Sequence, residues 1–167
     1  MAMSSEKCSL ETGALTEFSD ALTSLWGERR FVFHELREPP EPDGFCSLDG
    51  ESLHVEVGHL YGTQSDAKRL LGREGKSAAA RKERLDSSLV PLDTRILTPL
   101  NRLLASKATK TYQAQRVWLL IRSTLPLWSL RDFQKHRADI CVPEEHPFAQ
   151  IWLLCGPHSS FGVLRLA

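Results

Sequence analysis

The four cysteines, at positions 8, 46, 141 and 155, include no C-x-x-C pair, so the chain carries no zinc-ribbon or dithiol spacing. Cys46 and Cys155 fall in apolar, strand-like runs and read as small core residues. No apolar run approaches the length that crosses a bilayer: Val117-Trp118-Leu119-Leu120-Ile121 is typical, against ~20 residues for a spanning helix. Met1 to Lys7 is polar and lacks the hydrophobic region of a signal peptide. These absences predict a cytoplasmic protein in a reducing setting, with no membrane partner. Net charge is absent too, 21 Lys/Arg balancing 21 Asp/Glu. There is no G-x-S-x-G nucleophile elbow, no G-x-x-x-x-G-K-[ST] phosphate loop and no G-x-G-x-x-G fingerprint, which removes the commonest local signals for serine hydrolases, P-loop proteins and dinucleotide binding.

The 167 residues, 41% of them hydrophobic, suffice for one domain with a sizeable core. Residues 1–12 are polar and read as a flexible N-terminus, leaving 13–167 as the domain. The charge is unevenly spread: residues 1–60 hold 4 Lys/Arg against 12 Asp/Glu, a net −8, and residues 61–167 hold 17 against 9, a net +8. An acidic site facing a basic, phosphate-holding surface would have this distribution. Two halves attracting one another would have it as well.

Residues 42–57 carry the sharpest local signal. Asp49-Gly50 is a two-residue hairpin turn flanked by alternating apolar residues. That turn fixes the register: Leu48 opposes Glu51, Cys46 opposes Leu53 and Asp43 opposes Glu56. Cys46, Leu48, Leu53, Val55 and Val57 then share one face, and Asp43, Phe45, Ser47, Ser52, His54 and Glu56 share the other. Two directly opposed carboxylates require a cation between them or a shared proton. A hard divalent metal suits oxygen donors at that spacing.

Elsewhere Leu15, Phe18, Leu22 and Leu25 predict a helix from Leu15 to Trp26 that Gly27 ends. Arg30 to Leu36 reads as a strand, and Gly58 as the end of the hairpin pattern. A short helix is expected from Asp66 to Leu71. A long helix is expected from Asp93 to Tyr112, with Ile96, Leu97, Leu100, Leu103 and Leu104 as its apolar stripe. Val117–Ile121 and Ile151–Cys155 read as strands buried on both faces, Leu130–His136 as a short helix, and Phe161–Leu166 as a closing strand. The sum is an α/β fold, a mixed central sheet flanked by helices. Between positions 62 and 90 lies a basic loop with Lys68, Arg69, Arg73, Lys76, Arg81, Lys82 and Arg84, suited to phosphate-backbone contacts.

Pro42-Asp43, followed by Leu53-His54-Val55-Glu56-Val57, resembles the PD-(D/E)XK nuclease family. Its lysine, two residues after the second acid, is missing here, where Gly58 stands. The order helix, strands, long helix, apolar strands over roughly residues 14–125 resembles the restriction-endonuclease-like core. The resemblance implies metal-dependent phosphodiester hydrolysis of nucleic acid, with DNA the expected substrate and a homodimer the common assembly. It implies Mg²⁺ or Mn²⁺ held by Asp43, Glu56 and the Val57 carbonyl, with Glu17 as a helix-borne ligand and Glu28 as the weaker choice. Some relatives supply the lysine from a neighbouring helix. Lys107, which continues the stripe of Leu100 and Leu104, is the first candidate for that role and Lys110 the second. The alternative is a degenerate nuclease fold that binds nucleic acid or a protein partner without catalysis.

Overall fold

The computed structural model describes residues 5–61, 91–124, 128–156 and 162–167. The elements are α1 (Ser5–Trp26), β1 (Phe31–Leu36), β2 (Gly44–Leu48), β3 (Glu51–Leu60), α2 (Leu92–Ala108), β4 (Val117–Ser123), α3 (Leu130–Lys135), β5 (Gln150–Cys155) and β6 (Gly162–Arg165). The six strands form one mixed sheet in sequence order. β1, β2 and β3 are an antiparallel meander, β3, β4 and β5 run parallel, and β6 returns antiparallel.

The hairpin has the register its turn predicts: Leu48 faces Glu51 and Cys46 faces Leu53, with Gly44 facing Val55 as the last ladder pair. Asp49 and Gly50 both adopt positive φ, 53° and 84°. This matches the twist of the flanking strands and explains why an Asp-Gly pair occupies the turn.

Alternation along the strands builds two cores on opposite faces. Ala14, Leu15, Phe18 and Leu22 of α1 pack on Cys46, Leu53, Val55, Val57, Trp118, Leu120, Trp152 and Leu154. Ile96, Leu100 and Leu104 of α2 pack on Leu60, Val117, Leu119, Ile121, Ile151 and Leu153, joined by Phe133 of α3. β4 and β5 contribute to both layers, so their sequences are continuously apolar rather than alternating. Phe18 lies edge-on to Phe31, Trp118 and Trp152, with ring centroids 5.1–6.4 Å apart. Losing such a buried aromatic typically costs about 3–5 kcal/mol. The two buried thiols, Cys46 and Cys155, are free, and burial pushes both pKa values up to about 12. They behave as small apolar side chains.

Three boundaries differ from the sequence reading. Residues 5–12, taken from their polarity as a flexible N-terminus, form the first turns of α1. Ser5, Glu6, Lys7 and Ser9 are exposed, while Glu11 is buried with Ala14 and Leu15. β3 continues through Gly58 to Leu60. There the missing side chain marks a close approach of α2: a Cβ on Gly58 would stand 3.3 Å from Leu103 Cδ2. The long helix ends at Ala108, so Lys110 and Tyr112 lie in the connection to β4 and not on the helix. Ser129 and Asp132 cap α3 reciprocally, a local signal that fixes its start. The expected helix at Asp66–Leu71 lies outside the described residues.

Candidate functional site

A cavity of about 580 Å³ opens beside the hairpin, lined from α1 by Lys7 and Glu11, from the hairpin by Asp43, Glu56, Val57 and His59, from the end of α2 by Lys107, and from the connection that follows by Lys110 and Tyr112. Each polar group arrives there for a local reason. The β2–β3 ladder stops after Gly44 and Val55. The Asp43 carboxylate continues it, Oδ2 accepting from the Val57 N–H at 2.9 Å. That bond pins one carboxylate oxygen against β3. The other, Oδ1, lies 3.4 Å from Lys7 Nζ, which also reaches Glu11 Oε1 at 3.2 Å.

Glu56 follows the strand alternation onto the α2 side of the sheet. Its Oε1 accepts from Lys107 Nζ at 2.6 Å and from Lys110 Nζ at 3.1 Å. Lys107 Nζ also donates to the Val57 carbonyl at 3.1 Å. Lys107 sits in the last turn of α2, where the helix carbonyls favour a positive charge. A Cβ on Gly58 would stand 3.6 Å from Lys107 Cε, so the lysine stem crosses the strand directly over the glycine. Asp43 and Glu56 are both buried. Each has its own ammonium partners, Lys7 for Asp43 and Lys107 with Lys110 for Glu56.

The electrostatics differ from acid to acid. Burial acts to raise the pKa of Glu56, but the hydrogen bonds and charges of Lys107 and then Lys110 outweigh it and hold the carboxyl below its ordinary value. Burial and the charge of Asp43 push Glu11 up to about 7, against the opposing pull of Lys7. Burial, then the charges of Arg122, Lys107 and Lys7, lowers His59 to about 4, leaving a neutral imidazole at pH 7. Burial and the Glu56 carboxylate push the Tyr112 phenol upward, although its Oη completes no hydrogen bond of normal geometry.

The expected residues therefore divide. Asp43, Glu56, the Val57 carbonyl, Lys107 and Lys110 come together in the cavity. Glu17 does not: it pairs with Arg122 Nη2 at 2.7 Å and is not among the cavity's lining residues. Glu28 is exposed, 4.0 Å from Arg30. His54 packs its ring beside Phe45 on the outer face of the hairpin. The basic residues Lys68, Arg69, Arg73, Lys76, Arg81, Lys82 and Arg84 lie outside the described residues. Glu11 and Lys7 were missed. Their signal was present in the periodicity: Glu11 stands four residues before Leu15 and seven before Phe18, an acid on the apolar stripe, with Lys7 one turn earlier.

No group of three or more His, Cys, Asp or Glu among the described residues is arranged to hold a metal ion by itself. The donors at hand are two buried carboxylates and a backbone carbonyl, all hard oxygen ligands. Mg²⁺ and Mn²⁺ take donors of this type, commonly one or two carboxylates with water and substrate phosphate completing the shell, and here the same oxygens face Lys7 and Lys107. No helix among the described residues is long and apolar enough to cross a membrane. Comparison with protein-family models, with curated proteins and with solved structures finds no match.

Proposed function

We propose that this chain is a metal-dependent nuclease of PD-(D/E)XK type, with a restriction-endonuclease-like core, that hydrolyses phosphodiesters of nucleic acid, DNA being the favoured class. The reading is supported above all by Lys107, whose ammonium reaches both Glu56 Oε1 and the Val57 carbonyl from a neighbouring helix. That is where a lysine on β3 would be needed, and Gly58 is the residue it replaces. Further support comes from the element order, a helix and three-stranded meander followed by a helix and a parallel strand.

In this reading Asp43, Glu56 and the Val57 carbonyl hold Mg²⁺ or Mn²⁺, and Glu11 takes the helix-borne role first given to Glu17. The bound ion would polarise the scissile phosphate and lower the pKa of an attacking water. Lys107 orients that water or neutralises charge developing on the phosphate, a preorganised contribution because its ammonium is already fixed by two acceptors. Lys110, half exposed, lies at the rim, suited to a flanking phosphate. His59, neutral at working pH, adds no competing charge. The basic residues between 68 and 84 would add contacts to the phosphate backbone.

One observation favours the non-catalytic alternative, binding of nucleic acid or protein by a degenerate nuclease fold. Asp43, Glu11 and Glu56 all have ammonium partners, so the cleft is substantially charge-compensated as it stands. Incubation of labelled single- and double-stranded DNA and RNA with Mg²⁺ or Mn²⁺, beside EDTA and Glu56→Ala controls, separates the two. Metal-dependent cleavage abolished by Glu56→Ala supports the enzyme. Salt-sensitive binding without cleavage overturns it in favour of the degenerate domain.

A further inference from the structure

The three cleft lysines are held differently. Lys107 is 14% exposed and 2.6 Å from its carboxylate. Lys7 is 46% exposed and spans two carboxylates at 3.2 and 3.4 Å, longer than the ~2.7–2.9 Å of a tight charge-assisted bond. Its two partners come from different elements, Glu11 from α1 and Asp43 from the entry to β2, and both are buried while the ammonium is not. The second oxygen of Asp43 is anchored by the Val57 N–H, whereas Glu11 Oε2 is buried and completes no hydrogen bond of normal geometry. Lys7 thus sets a half-exposed positive charge across two buried acids, at contacts longer than that of Lys107.

We propose that Lys7 is a resident counter-ion that a divalent cation must displace from Asp43 and Glu11, so that Lys7 sets the metal affinity of the cleft by weakening it. This rests on the metal-dependent reading above. The physical basis is competition: a cation entering beside Asp43 breaks two ammonium–carboxylate contacts and is repelled by the ammonium until it swings into solvent. Nearly half of the Lys7 side chain, 46%, is exposed to solvent. Lys107 cannot act in this way, because its stem is packed over Gly58.

The test is calorimetric titration of EDTA-treated protein with MnCl₂, with free Mn²⁺ followed independently by electron paramagnetic resonance. Wild type, Lys7→Met and Lys7→Arg are compared, with Lys7→Gln as a second neutral variant should the methionine fold poorly. Lys7→Met is expected to bind Mn²⁺ about tenfold more tightly than wild type, and Lys7→Arg within about threefold of it. Glu11→Gln in the Lys7→Met background should reverse the gain. Wild-type binding that is unchanged or weaker in both neutral variants overturns this proposal alone and makes Lys7 a structural clasp. Failure of all variants to bind Mn²⁺ overturns it together with the metal-dependent reading.

Discussion

Lys107 Nζ meets Glu56 Oε1 at 2.6 Å across 51 positions of sequence, its stem crossing β3 at the one glycine that lets it pass. The pair joins the C-terminal end of a helix to the middle of a strand. It places a lysine remote from Glu56 in sequence directly beside its carboxylate in space.

Replacing Lys107 with Met should lower cleavage by about 10²–10³-fold. It should also cost about 1–3 kcal/mol of stability, because Glu56 is buried and would keep only the more exposed Lys110 as partner. Single-turnover cleavage and urea melts measured on the same preparation read both effects. Full activity in Lys107→Met would remove this lysine from the mechanism.

Gly58→Lys on its own should not raise the proposed cleavage rate. Its Cβ would press on Leu103 Cδ2 at 3.3 Å and on Lys107 Cε at 3.6 Å, an overpacking worth about 1–3 kcal/mol. Combined with Lys107→Ala, which vacates that space, the new lysine should restore roughly a tenth or more of the lost rate. Initial rates of the single and double variants decide this, since non-additive recovery is the signature of two residues sharing one role.

Stability should fall on acidification in EDTA. Glu56 has a folded-state pKa below its ordinary 4.5, so its contribution is present above 4.5 and lost as pH drops through the folded value. Thermal melts between pH 7 and pH 3 should show this loss, shallower in Glu56→Gln. Equal slopes in the two proteins would contradict the ion pair.

Glu11 works in the opposite window. Its pKa is raised from 4.5 to about 7, so its contribution is complete below 4.5 and disappears as pH rises through 7. Metal-free Glu11→Gln should therefore melt higher than wild type at pH 8, on the order of 2–4 °C, with the difference fading toward pH 5. A variant less stable than wild type at pH 8 would mean that the Lys7 contact outweighs the burial of the charge.

Much of the scaffold could be read from local pattern. The positive-φ turn at Asp49-Gly50, the stripe of Leu15, Phe18 and Leu22, and the unbroken apolar runs of β4 and β5 each follow from backbone sterics or a fixed side-chain period. The boundaries failed where one residue served two purposes. Gly58 looked like a terminator because a strand interior disfavours glycine, yet it is kept as clearance for α2. Residues 5–12 looked frayed because their polarity was counted without its phase. The family layout pointed to Glu17 and passed over Glu11, although of the two only Glu11 is buried with Leu15 and Phe18.

The sequence alone determined the register of the hairpin that carries Asp43 and Glu56, because a two-residue turn sets a register and a period of two sets the faces. Only the tertiary structure decided which cations answer those acids. Lys7 is 36 positions from Asp43, and Lys110 is 54 from Glu56. No local rule relates such residues. Their meeting depends on how the two helices pack on opposite faces of the sheet, a consequence of burying both apolar layers at once.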